Sequence, residues 1–299
     1  MAKMWWQQNE RGGKFLLKLT LLLVTFVPNF ILKPIVFCVS FIYYIFCKNE
    51  RNNIKFYLSL LKQRGFRVRS AFWNFYEFAM SICDKFKAWL GKIKLNDINI
   101  VDINAIKKEF VSQSRGRILV VSHFGNIDIA RTLSSELEWL DITILVYTKH
   151  SSEFFKILNE VSKTPVKVLE VDELDVSAMI KIKEIIDQGG HIGIMGDRVN
   201  ISGTKSVSVS FLGKECEFPM GAFILAGLLK TKVSTFFTFK SDDIYHISFL
   251  HIADEVSLKR DKEASVKPYL LSYVRSLEQM CERYPHYFFN FYDFWQVKR

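Results

Sequence analysis

Residues 19–47 carry a single charge, Lys33, in a stretch dominated by Leu, Ile, Val and Phe. A run of this kind cannot lie open to water over its whole surface. Pro28, Asn29 and Pro34 interrupt it, so it does not form one uniform helix. The segments 19–32 and 35–47 are each short for a full bilayer crossing. Two membrane arrangements satisfy these constraints. One is a tilted, kinked transmembrane helix whose Lys33 reaches the headgroups; the other is a pair of helices lying in one leaflet. The flanks argue against the alternative of a buried hairpin in a soluble body. Lys48, Arg51, Lys55, Lys62, Arg64, Arg67 and Arg69 follow the run. Such clusters stay on the cytoplasmic side and attract anionic lipids, with about 1 kcal/mol from each cation near the surface.

Charge is distributed very unevenly. Residues 1–100 hold 16 Lys or Arg against 5 Asp or Glu, whereas residues 101–299 hold 25 against 26. A uniformly basic nucleic-acid binder would not look like this, and no nucleic-acid partner is expected. A 49% apolar composition excludes a disordered chain. Cys38, Cys47, Cys83, Cys216 and Cys281 are scattered, without metal spacing or a disulfide framework, and no metal site or cofactor is expected. Residues 70–90 place Phe72, Phe75, Tyr76, Ala79, Phe86 and Trp89 at helical spacing, a stripe suited to packing or to an interface.

Beyond the basic stretch, strand and helix patterns alternate. Strands are predicted at 117–122, 142–147, 166–171, 191–195, 233–239 and 245–250, with a short one at 207–211. Helices are predicted at 126–139, 151–159, 176–188, 219–230 and 261–284. The fold class is therefore α/β: a mixed, mostly parallel sheet flanked by helices, behind an N-terminal membrane-associated helical segment. No linker divides the body, so we expect an anchor over residues 1–50 and one domain over 51–299.

In such folds ligands sit at the carboxyl ends of strands. The first strand of the body ends in Ser122-His123-Phe124-Gly125-Asn126-Ile127-Asp128. A loop turning into a helix can fold the His123 ring back over Asp128, and Gly125 permits a close approach. Asp128 would then fix the tautomer, while the other ring nitrogen takes a proton from an acceptor hydroxyl. The same residues also suit a loop histidine beside a helix-capping aspartate, with Asn126 at the cap. Backbone amides near Gly125, or Asn126 itself, are candidate donors to a developing oxyanion. No G-x-S-x-G is present, which leaves a serine hydrolase without a nucleophile elbow.

His-x-x-x-x-Asp at a strand end behind a membrane segment resembles the lysophospholipid acyltransferase superfamily. The chain is more closely similar to the late acyltransferases of lipid A biosynthesis. Met195-Gly196-Asp197-Arg198, Phe211-Leu212-Gly213 and Phe218-Pro219-Met220-Gly221 follow in that family's order and spacing. The aromatic block at 284–295 resembles members found with aryl polyene pathways. The chain departs from the lipid A enzymes at Asp128, where they use Glu, at Ile127, where they use Trp, and at Lys149-His150, where they place an Arg. These departures bear on the acceptor rather than on acyl transfer.

The resemblance implies an O-acyltransferase at the inner membrane, its body facing the cytoplasm. The donor would be acyl carrier protein, or acyl-CoA, and the acceptor a hydroxyl of a lipid or glycolipid. Anionic membrane lipids would be partners. His123 would be the base and Asp128 its orienter. Gly125, Asn126, Lys149, Asp197, Arg198, Pro219 and Gly221 would bind substrate, with Arg198 suited to a phosphate or only to pairing with Asp197, and the 219–221 segment to the acceptor or only to starting its helix. A non-catalytic membrane partner of a lipid-forming complex is the alternative.

Overall fold

A computed structural model describes residues 14–111, 114–137, 139–147, 162, 167–171, 175–199 and 205–295. Lys149 and the helix expected at 151–159 lie outside these residues. Helices α1 (Lys14–Phe26), α2 (Asn29–Phe46), α3 (Lys48–Gln63) and α4 (Phe72–Trp89) precede the sheet. There follow β1 (Ile98–Ile100), α5 (Ile103–Val111), β2 (Ile118–Val121), α6 (Asp128–Glu136), β3 (Ile142–Tyr147), β4 (Val168–Val171), α7 (Val176–Asp187) and β5 (His191–Met195). Next come β6 (Ser206–Phe211), β7 (Lys214–Pro219), α8 (Gly221–Leu229), β8 (Val233–Ser241), β9 (Ile244–Ala253) and α9 (Lys262–Arg283).

The main sheet has seven strands in the order β1-β9-β8-β2-β5-β3-β4. All neighbours in it are parallel except β8 and β9, which form an antiparallel hairpin. Strand β2 is central and buried along its length. Its side chains alternate between two cores. Ile118 and Val120 join one with α3, α7, α8 and α9, and Leu119 and Val121 join another with α4, α5 and α6. A strand covered on both faces must read as a continuous apolar run, which is what Ile-Leu-Val-Val supplies. Aspartates cap two of the covering helices: Asp175 accepts from the Ala178 amide at 2.8 Å and Asp261 from the Ala264 amide at 3.1 Å.

Several elements differ from expectation: the helical break falls at residues 27–28 with Pro34 inside α2, and α3, β1 and α5 have no counterpart among the expected elements. Residues 214–219 form β7, an antiparallel partner of β6, so Pro219 closes a strand opposite Ser206 rather than opening a helix. The helix starts two residues later, at Gly221. Proline tolerates this place because a strand's last residue need not donate to the ladder.

The chain returns after α9 in a 3-10 turn, Pro285–Tyr287, and its aromatic block tucks beneath β6 and β7. Phe211 lies 5.7 Å from Phe288, 5.5 Å from Phe294 and, stacked, 5.9 Å from Trp295. The Trp295 indole N–H donates to the Phe211 carbonyl at 3.1 Å. Phe288 is 1% exposed. Its truncation to Ala should cost about 3–5 kcal/mol, the usual range for a buried Phe. Urea unfolding of the variant checks this; an unchanged midpoint would show that the block is not core.

Two buried histidines serve the scaffold. His191 begins β5, where its Nδ1 accepts the Arg117 amide at 3.2 Å and its ring meets Phe110 edge-on. His286 Nδ1 donates to Asn74 Oδ1 at 2.9 Å while its Nε2 accepts the Arg69 amide at 3.2 Å. Burial lowers both to about 4, with Arg117 and Arg69 adding repulsion. The unfolded chain therefore takes up protons first, near pH 6.5. The stability held by these neutral rings is complete above about pH 6.5 and falls as pH drops toward 4. Thermal melts should show a lower Tm at pH 4.5 than at pH 7; equal values would contradict the assignment.

Candidate active site

The parallel register of β2 and β5 builds the site. Val121 lies opposite Met195, and the Gly196 amide donates to the Val121 carbonyl at 2.8 Å. Two residues farther along each strand, His123 and Asp197 emerge side by side. Asp197 Oδ2 accepts the His123 backbone N–H at 2.9 Å, and Oδ1 lies 2.9 Å from His123 Nδ1. One carboxylate thus holds both the main chain and the ring of the histidine. Asn290 Nδ2 adds a contact to Oδ2 at 3.3 Å.

Asp197 is fully buried. Burial alone would raise its carboxyl, but the His123 ring and backbone N–H and the Arg198 charge outweigh it and hold it below the ordinary value. It is therefore an ionised acceptor, and His123 Nδ1 must carry the hydrogen. The other nitrogen, Nε2, keeps its lone pair and has no hydrogen-bond partner among the described residues. The side chain is 28% exposed. Burial and then the Arg198 charge lower the His123 pKa, with Asp197 opposing them, so the ring is neutral at pH 7.

Asp128 occupies a different place. It opens α6, and its carboxylate accepts the Trp89 indole N–H at 3.0 Å and meets Lys85 Nζ at 2.9 Å, both from α4. The expectation of Asp128 at His123 Nδ1 is thus replaced by Asp197 in this structure. The physical reason is directional. The β2 register turns the ring toward β5, whereas the first turn of α6 points Asp128 at α4.

The loop between them is tightly fixed. Gly125 has φ +67°, and a Cβ there would stand 1.5 Å from the Thr238 carbonyl oxygen. Its N–H donates to the Tyr287 carbonyl at 2.8 Å, and the Asn126 N–H to Thr238 Oγ1 at 2.7 Å. These amides hold the loop, so the expected oxyanion donors are already engaged. The Asn126 side chain is also used, with Nδ2 donating to the Ser81 carbonyl at 2.9 Å and Oδ1 accepting the Asp128 amide at 3.2 Å.

The C-terminal block forms the far wall. Phe124 and Phe288 make an antiparallel bridge, and the Phe289 N–H donates to the His123 carbonyl at 2.8 Å. Arg198 reaches the same block, with Nε donating to Asn290 Oδ1 at 2.9 Å and Nη2 to the Phe289 carbonyl at 3.1 Å. Sequence reasoning missed Asn290 and Trp89. The signal for Asn290 was available: a lone amide among Phe288, Phe289 and Phe291 must find buried hydrogen bonds.

Two cavities border these loops. One of about 210 Å³ is lined by Gly125, Asn126, Met80, Tyr76, Lys240 and Tyr287 among others. Another, of about 440 Å³, is lined by Phe56, Lys214, Tyr292, Phe294 and Trp295 among others. Neither is lined by His123 itself. Among the described residues no hydrogen bond or ion pair links Pro219 or Gly221 to His123, and a Cβ on Gly221 would meet open space. No group of metal-ligating side chains is found among the described residues.

Substituting Gly125→Ala should displace the loop and lower turnover at least about 100-fold, since misplacing a reacting group by 1 Å has that effect. Near-normal kcat would contradict the close approach to Thr238.

The family model described as bacterial lipid A biosynthesis acyltransferase matches residues 7–285. Comparison with curated proteins gives no match.

Proposed function

The chain belongs to the bacterial lipid A biosynthesis acyltransferase family, and on that premise we propose that His123 is the general base of acyl transfer to a lipid hydroxyl. Family membership makes the protein an acyltransferase acting on lipids. The finer assignment is ours. The donor is an acyl thioester of acyl carrier protein, with acyl-CoA the alternative, and the acceptor is a hydroxyl of a lipid or glycolipid. Similarity of residues 284–295 to aryl polyene pathway members belongs to this proposal too.

One observation carries the mechanism: Asp197 takes the Nδ1 hydrogen, leaving Nε2 of a neutral ring to accept a proton. As the acceptor oxygen attacks the thioester carbonyl, its proton passes to Nε2. The tetrahedral intermediate collapses, the carbon–sulfur bond breaks, and the thiolate takes the proton back from His123. The donor and acceptor are thus converted to ester and thiol with no net proton change. Asp197 is a positioning residue. Arg198, beside it, is assigned to attract the donor's phosphate. Asp128 anchors α6 to α4, and Gly221 is assigned to the acceptor side.

We place the protein at the inner membrane with the body in the cytoplasm. Residues 1–50 act as its anchor and 51–299 as the transferase domain. Exposed Lys48, Lys55, Lys62, Arg64, Arg67 and Arg69 offer a surface both to anionic lipids and to an acidic carrier.

The test is transfer from acyl carrier protein and acyl-CoA thioesters to lipid extracts, read by mass spectrometry. His123→Ala should lose at least about 1,000-fold in kcat while staying folded at the assay temperature, with a lowered Tm because buried Asp197 loses its ring donor. Retained turnover in that variant ends the mechanism, and no turnover by the wild type with any donor favours a non-catalytic partner.

The pH profile carries a further expectation. The acid limb of kcat/KM should lie below pH 6.5, because burial and Arg198 lower the His123 pKa. Asp197→Asn removes the opposing charge and should move the limb lower still, with about a 10⁴-fold loss in kcat from the wrong tautomer. An acid limb above pH 7 would contradict the neutral-base assignment.

A further inference from the structure

Helix α2 is long and apolar enough to cross a bilayer, yet its contacts run along the body. Its 18 residues extend about 27 Å at 1.5 Å per residue. Leu32, Val36 and Ser40, spaced four apart, form one buried stripe. Along the same helix Phe37 packs 4.9 Å from Phe72 of α4, and Tyr44 packs 5.6 Å from Phe75.

Polar groups of the body grip both ends. Lys33 Nζ pairs with Asp243, in the turn between β8 and β9, at 3.1 Å. Arg51 Nη1 donates to the Tyr44 carbonyl at 2.6 Å and to the Ile45 carbonyl at 3.0 Å. Helix α1 is held likewise, with Lys92 Nζ donating to the Val24 and Thr25 carbonyls at 3.1 and 2.6 Å.

The opposite arc of α2 is exposed and uncharged. Phe30, Ile31, Phe41, Ile42, Ile45 and Phe46 are 44–76% exposed. An apolar arc of this length calls for a hydrocarbon partner. The helix cannot meet it by crossing. With α2 upright, the Lys33–Asp243 pair and the Arg51 contact at Tyr44 would stand only about 17 Å apart along the axis, so in a hydrocarbon layer of about 30 Å at least one of them would be buried together with the body beside it. Each charge so buried costs several kcal/mol. With α2 lying flat, those charges stay at headgroup level. Exposed Lys48, Lys55, Arg67 and Arg69 then meet an anionic leaflet.

We propose that α1 and α2 seat the enzyme side-on in one leaflet, with the α2 axis in the membrane plane and its exposed arc among acyl chains. This orientation rests on the membrane attachment argued above and adds its geometry. It places the transferase body alongside the lipid surface rather than at the end of a stalk.

Electron paramagnetic resonance depth measurement tests it on the full chain. Cys38 is exposed on this arc while Cys47, Cys83, Cys216 and Cys281 are buried, so a nitroxide can be attached to the native Cys38. Ile31→Cys and Ile45→Cys in a Cys38→Ser background add labels at nearly the same helical angle. The vesicles are phosphatidylethanolamine with phosphatidylglycerol, and oxygen and a nickel chelate are the relaxants. The in-plane seat gives all labels the same depth to within about 5 Å, one helical turn. Depths that step steadily through about 20 Å from Ile31 to Ile45, the rise of the intervening residues, overturn the in-plane seat and leave membrane attachment standing. Failure of wild-type protein to sediment with these vesicles overturns both.

Discussion

Everything at the candidate site depends on a buried carboxylate set by strand register. Asp197 has no exposure, and a charge in that position is tolerable only when its lone pairs are filled. The parallel pairing of β2 with β5 brings His123 to it, and the chain's last described segment brings Asn290. The carboxylate then does two things together. It fixes the backbone at which β2 ends, and it fixes the tautomer of the ring. Removing either partner would leave a buried charge short of donors, so folding and chemistry share one constraint.

The C-terminal block is the second half of that constraint. Between Tyr287 and Asn290 the chain bonds to Gly125, bridges Phe124, bonds to His123 and reaches Asp197 and Arg198. Farther on, Phe294 and Trp295 are locked against Phe211 on β6. Thus the loop carrying His123 is clamped from β8 by Thr238, from β5 by Asp197 and from the chain's end by residues 287–290. A base held on every side loses little to reorganisation when a substrate arrives. Lys85 and Trp89 hold Asp128, which secures the start of α6 from α4.

Much of this was legible in the sequence, and the gaps have definite causes. The strands ending at His123 and Asp197 could be placed because buried parallel strands are short apolar runs. Their pairing could not, since the residues are 74 apart and register is a tertiary property. Asp128 invited the role of orienter because it is near in sequence; the direction of a helix's first turn is what assigned it to α4. Proline favours helix starts, so Pro219 reads as one in the sequence, whereas pairing with Ser206 makes it the end of β7. The amphipathic stripe over 70–90 did mark α4, but not that one side would carry α2. The charge asymmetry marked the front end, while the tethers from Arg51, Lys92 and Asp243 are visible only once the chain is folded.

The account stands or falls on the state of one ring. Nitrogen-15 NMR of histidine-labelled protein reports it directly, with the His123 signals identified by their loss in His123→Ala. At pH 7 His123 should be neutral, with the hydrogen on Nδ1 and Nε2 showing the shift of a free lone pair. It should titrate below pH 6.5. A hydrogen on Nε2, or a ring still protonated at pH 7, would contradict the claim that Asp197 sets His123 as the base.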